Sequence, residues 1–113
     1  MKIHECQAIE IFRKSGIPVP AGCVAGDCSE AQKIAGDIGF PVVLKAQVLT
    51  GGRGKAGGIK IARDPEDLKK NFAQIKDLVI HGFKVDRILV VRALDIQREL
   101  YLAVTVDPLQ GDV

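Results

Sequence analysis

The sequence predicts an α+β fold in two layers, a mixed or antiparallel sheet with helices on one face. Three observations carry that expectation. Apolar residues recur at helical spacing in three segments, they alternate with a period of two in four others, and the order of these segments shows no strict strand–helix–strand rhythm. The 113 residues fit one compact domain, near the small end for an enzyme that encloses two substrates.

In chain order, residues Ile3 to Lys14 read as a helix with Ala8, Ile11 and Phe12 on one side, ended by Gly16 and the extended Ile-Pro-Val-Pro at 17 to 20. Asp27 with Glu30 three residues on has the pattern of a capping box. Ala31, Ile34, Ala35 and Ile38 then form the apolar stripe of a second helix closed by Gly39. Pro41 opens a strand over 42 to 48, in which Val43, Lys45 and Gln47 share one face and Val42, Leu44, Ala46 and Val48 the other. Ile59 and Ile61, alternating with Lys60, start a second strand, so the glycines of 51 to 58 lie at a hairpin tip. Asp64-Pro65 starts a third helix, with Leu68, Phe72, Ile75 and Val79 on its apolar face as far as Gly82. Two more strands are predicted at Val85 to Val91 and Glu99 to Val106, joined by a crossover from Arg92 to Arg98. Asp107 to Asp112 reads as a hairpin turn with Val113 opening its return strand, so the chain is expected to be a fragment that stops within a motif.

Composition excludes several classes. Hydrophobic residues at 47% and charged residues at 27% describe a globular domain rather than a disordered chain. A net charge of +2, with scattered basic residues, argues against nucleic-acid binding. No apolar run approaches a membrane span and the opening residues are not a signal peptide, which makes the cytoplasm the expected compartment. Cys6, Cys23 and Cys28 match neither a zinc site nor a disulfide framework and read as free thiols.

The chemistry concentrates in Thr50-Gly51-Gly52-Arg53-Gly54-Lys55-Ala56-Gly57-Gly58, where bare amides and cationic side chains coincide as a polyphosphate requires. A Walker loop is excluded, because Ala56 follows Lys55 where a magnesium-binding hydroxyl is needed. Gly52, Gly54 and Gly57 satisfy GxGxxG, yet the next residues alternate like a strand and not like the helix a dinucleotide fingerprint demands. What remains is a strand, a glycine hairpin and a strand, a flap over phosphates with Lys45 facing the same cleft. A flexible surface hairpin that binds nothing is the bland alternative; Lys45, Arg53 and Lys55 gathered around it favour function.

The sequence resembles the beta subunits of succinyl-CoA synthetases, the ADP-forming succinate–CoA ligases, in their amino-terminal ATP-grasp region. The resemblance covers essentially the whole chain. It rests on Met-Lys-Ile-His-Glu at 1 to 5, Ile-Phe-Arg-Lys at 11 to 14, Gly-Ile-Pro-Val-Pro at 16 to 20, Lys-Ala-Gln-Val at 45 to 48, the glycine stretch at 51 to 58 and Leu-Asp-Ile-Gln-Arg-Glu-Leu-Tyr-Leu at 94 to 102. Gly-Phe-Pro-Val-Val-Leu-Lys at 39 to 45 is similar to ATP-grasp enzymes generally.

What the resemblance implies is an ATP-grasp small lobe over residues 21–98, with residues 1–20 belonging to the other lobe and 99–113 beginning an incomplete second lobe. It implies that Lys45, Gly52, Arg53 and Gly54 hold nucleotide phosphates, that a hinge from Val91 through Leu94 holds the base, and that Glu99 accepts from the ribose hydroxyls. The family carries glutamate where this chain has Val91, and His-Ala where it has Leu49-Thr50. The implied reaction couples ATP and magnesium to thioester formation from succinate and CoA through an acyl phosphate. A phosphohistidine on a partner alpha subunit, which also holds the CoA site, shuttles the phosphoryl group. Neither His4 nor His81 matches that histidine, and the magnesium ligands are implied to lie beyond residue 113, so no catalytic or metal residue is expected here. Malate- and acetate-type ligases are the near alternatives, a non-catalytic nucleotide-binding module the distant one. A piece of such an enzyme exposes apolar surface and is expected to self-associate.

Overall fold

The computed structural model describes residues 2–111. Helix α1 (Glu5–Lys14) is followed by strand β1 (Gly22–Ala25), helix α2 (Cys28–Ile38), strands β2 (Val42–Ala46) and β3 (Ile59–Ala62), and helix α3 (Pro65–Lys76). Two short strands, β4 (Val79–Ile80) and β5 (Phe83–Lys84), form a separate hairpin before strand β6 (Ile88–Arg92). The main sheet has the order β1-β6-β2-β3 with every pairing antiparallel.

The helices begin where the sequence places caps. Asp27 accepts from the Glu30 amide at 2.8 Å, and Glu30 reaches back to the Gly26 amide at 2.9 Å, one residue earlier than a strict capping box. Asp64 accepts from the Asp67 amide at 2.8 Å with Pro65 just inside the helix. α1 starts at Glu5, two residues later than the apolar spacing suggests, with the His4 amide donating to Gln7 Oε1 at 2.8 Å.

The alternation along β2 divides the molecule. Val42, Leu44 and Ala46 are fully buried beneath α2 and α3, together with Ala62 of β3 and Ile88 and Val90 of β6. The intervening pairs in register, Val43 with Ile61 and Val91, and Lys45 with Ile59 and Leu89, occupy the opposite face. Arg92 ties the layers together by donating to the carbonyl of Ile38, the last residue of α2.

The strand expected over 42–48 ends at Ala46, and three further elements differ more. α3 stops at Lys76 and does not run to Gly82: Val79 has helical phase, but His81 (φ 49°) and Gly82 (φ 85°) take left-handed conformations that turn the chain into the β4–β5 hairpin. The strand expected over 85–91 is confined to 88–92, because Val85 instead donates to the Leu78 carbonyl at 3.2 Å. The strand expected at 99–106 is absent: Leu100, Tyr101 and Leu102 are 82 to 94% exposed, and no strand among the described residues offers them a ladder. Near the end, a turn at 108–110 is closed by the Gly111 amide donating to Asp107 O at 2.7 Å, and the expected return strand at Val113 lies outside the described residues.

Gly22 tests this packing. A Cβ added there meets the Val90 carbonyl oxygen at 2.0 Å and Val91 Cα at 2.7 Å, both backbone atoms with no freedom to retreat. Gly22→Ala is expected to lower unfolding free energy by on the order of 2–4 kcal/mol, read as the urea midpoint at unchanged slope.

Candidate nucleotide-binding site

The cleft-facing side of β2 carries one charge, Lys45, and a charge at the centre of a sheet needs a partner. Glu5, in the first turn of α1, supplies it: Lys45 Nζ donates to Glu5 Oε1 at 3.0 Å. Arg53 approaches the other carboxylate oxygen, with Nη1 2.7 Å from Oε2. That nitrogen also donates to the Ala46 carbonyl at 2.9 Å, and Oε2 is buried without an aligned hydrogen bond, so the Arg53–Glu5 contact is one of charge more than of direction. All three side chains are about one-quarter exposed.

Gln47 holds α1 against the sheet. It is 5% exposed; its Oε1 accepts from the Cys6 amide at 2.8 Å and its Nε2 donates to the Lys45 carbonyl at 3.1 Å. Glu5 is thereby delivered to Lys45 by the residue beside it.

The glycine stretch forms a turn between β2 and β3. Gly58 closes its base, donating to Arg53 O at 2.7 Å and accepting from the Ala46 amide at 2.8 Å. A Cβ at Gly58 meets Ile80 Cδ1 at 2.8 Å, Arg53 O at 3.1 Å and Ala46 Cβ at 3.2 Å, so glycine lets the flap seat against the β4–β5 hairpin without displacing Ile80. The tip of that hairpin supports the flap from outside: His81 Nδ1 lies 3.2 Å from Thr50 Oγ1, and the His81 ring borders Gly52. His81 therefore sits in a turn against the flap and not at the helix end expected from sequence.

Between α1 and the flap lies an open cavity of about 850 Å³, lined by Lys2, Glu5, Thr50, Arg53 and Lys55 and floored by Ile59. Of the residues predicted from sequence, Gly52, Arg53 and Gly54 border it, and Lys45 joins through Glu5. Val91, Leu94 and Glu99 do not. Val91 is buried in β6 at 3% exposure, while Leu94 and Glu99 lie on the exposed segment beyond it. Glu5, Gln47 and His81 are the neighbours of the flap and of Lys45 that sequence reasoning did not place here, whereas Thr50 stood at the head of the predicted glycine stretch. Glu5 and Gln47 stood within stretches shared with the ligases, but their contacts span 40 and 41 residues and no local pattern signals them.

The ATP-grasp domain family matches residues 2–112. The chain belongs to the ATP-grasp family. It is 46% identical over 111 residues to the beta subunit of ADP-forming succinate–CoA ligase from Natronomonas pharaonis, a match that covers 98% of this chain and 29% of that relative. A protein from Pyrococcus horikoshii shares the fold with a TM-score of 0.79 at 29% identity, over 96% of this chain and 48% of the other. An acetyl-coenzyme A synthetase from Ca. Korarchaeum cryptofilum, solved in complex with coenzyme A and Ca-AMPCP, aligns with a TM-score of 0.75 at 27% identity, over 84% and 44%. The α+β architecture, with α2 and α3 on one face of the sheet, is that of an ATP-grasp small lobe, and no described helix is long and apolar enough to cross a membrane.

Burial alone raises the Glu5 pKa, but the Lys45 hydrogen bond, the Arg53 contact and the two positive charges outweigh it and hold the carboxyl below its ordinary value. The unfolded chain thus binds the proton more readily. The stabilisation from Glu5 is complete above the ordinary glutamate value and is lost as pH falls through the lower folded value. Melting temperatures taken from pH 7 downward are expected to show wild type above Glu5→Gln at neutral pH, with the gap closing in the acid range.

Proposed function

We propose that this chain is the phosphate-binding portion of an ATP-dependent acyl-CoA ligase of the ADP-forming succinate type. The observation that carries the proposal is that Arg53 and the Gly52–Gly54 run line one cavity, with Lys45 paired to the Glu5 carboxylate that also lines it, within a chain 46% identical to such ligase subunits. Two cations and backbone donors fit the oxygens of a polyphosphate. The ammonium of Lys45 and the guanidinium of Arg53 orient the phosphates and neutralise charge that develops on the transferred group; neither acts as a nucleophile.

The donor set does not fit a divalent ion. Its one carboxylate is engaged by two cations, and no cluster of metal-ligating side chains is present among the described residues, so no step is assigned to magnesium within this chain. In the reading we advance, the metal is held by residues elsewhere in the enzyme.

The wider assignment follows the relatives. The reaction is ATP, succinate and CoA to ADP, phosphate and succinyl-CoA, carried through a phosphohistidine on an alpha subunit, in the cytoplasm. Residues 1–20 serve the opposing lobe, 21–98 the small lobe, and 99–113 lead into the second lobe. In that arrangement Val91 and Leu94 meet the base and Glu99 the ribose once the second lobe is in place. The chain spans 29% of the length of the Natronomonas relative, and residues 1–113 by themselves are not expected to turn over substrate. Thioester formation assayed in the complete complex with succinate, malate and acetate separates the acyl alternatives.

Calorimetric titration with ATP tests the site. Lys45→Met and Arg53→Met are each expected to weaken binding roughly 10- to 100-fold, the worth of a charge-assisted hydrogen bond. Unchanged affinity in both variants would place the phosphates elsewhere.

A further inference from the structure

Glu5 sets an anion directly on the two cations assigned to phosphate, and its geometry is that of an exchangeable occupant. We propose that Glu5 is an internal competitor for nucleotide phosphate: it holds Lys45 and Arg53 in position and is exchanged for phosphate oxygens when nucleotide binds. The inference rests on the phosphate assignment made for Lys45 and Arg53.

Three observations support it. First, Lys45 does not itself line the 850 Å³ cavity, whereas Glu5 does, with the Lys45 ammonium 3.0 Å behind it. The ammonium is thus paired to the cavity-lining carboxylate, and exchange of that carboxylate for a phosphate oxygen brings the ligand to Lys45. Second, a phosphate brought to Arg53 is repelled by a carboxylate already within 2.7 Å of the same guanidinium, because like charges at such separations oppose each other strongly in a partly buried site. Third, the hold of Arg53 on Glu5 is one of charge more than of direction. Arg53 Nη1 is shared with the Ala46 carbonyl and makes no aligned hydrogen bond to Oε2, so no fixed bonding geometry resists replacement of the carboxylate by another anion.

The element that carries Glu5 is suited to move. α1 has no fully buried residue against this sheet. Apart from the Glu5 ion pairs, its hydrogen-bonded side-chain tie to the sheet among the described residues is the Cys6 amide on Gln47. Helices held by few buried contacts open at low free-energy cost.

The test is calorimetry of wild type and Glu5→Gln with ATP and with adenosine, in the full chain. Glutamine keeps the shape and removes the charge. The proposal expects ATP affinity to rise roughly tenfold in the variant and adenosine affinity to stay unchanged. A purely structural Glu5 predicts the opposite sign, weaker ATP binding in the variant, and that result, or equal affinity, overturns the proposal while leaving the phosphate assignment intact. If wild type itself shows no ATP affinity, the phosphate assignment fails and the competitor falls with it. A second measurement needs no variant. Amide hydrogen exchange on wild type is expected to accelerate across Glu5–Lys14 when ATP is added, as the helix loses its anchor, and slowed or unchanged exchange there refutes the exchange of anions.

Discussion

A lysine in the middle of a central strand has to be neutralised, and the structure is arranged around how Lys45 meets that requirement. The period of two along β2 sends Val42, Leu44 and Ala46 into the core and leaves Lys45 on the other side. The counter-charge arrives from a helix 40 residues earlier, and Arg53 arrives from the turn that follows the strand. Helix, strand and flap are thus joined at one carboxylate. Because Lys45 and Arg53 hold the Glu5 carboxyl below its ordinary value against the opposing effect of burial, the junction is electrostatic and responds to pH and to competing anions.

The flap owes its form to steric constraints more than to charge. Gly58 lets the base of the turn lie against Ile80 and Ala46, and the carbonyl of Ala46 that is left unpaired by β3 receives Arg53. The β4–β5 hairpin, which contributes nothing to the main sheet, backs the flap through Ile80 and His81. These supports leave Gly52 and Gly54 lining the cavity.

Much of this was legible in the sequence. The alternation of 42–46, the Asp27 and Asp64 caps, and the choice of a glycine hairpin over a nucleotide-binding loop with a helix behind it follow from local pattern, and local pattern is what the structure realises there. The failures share one cause, which is that a period says nothing about partners. Val79 keeps helical phase but lies past the residue where α3 ends, and the apolar alternation after Glu99 has no strand beside it among the described residues. Glu5 was invisible as a site residue for the same reason, since a helix-initiating glutamate looks identical whether it faces water or two cations.

The central claim is that Lys45, Arg53 and the flap form one phosphate site, and the most direct test is amide chemical-shift mapping of the labelled chain titrated with ATP and, separately, with adenosine. The account predicts ATP-dependent shifts at Lys45 and throughout 51–58 that adenosine does not reproduce. Shifts that adenosine matches, or that fall elsewhere and spare Lys45 and Arg53, would contradict it.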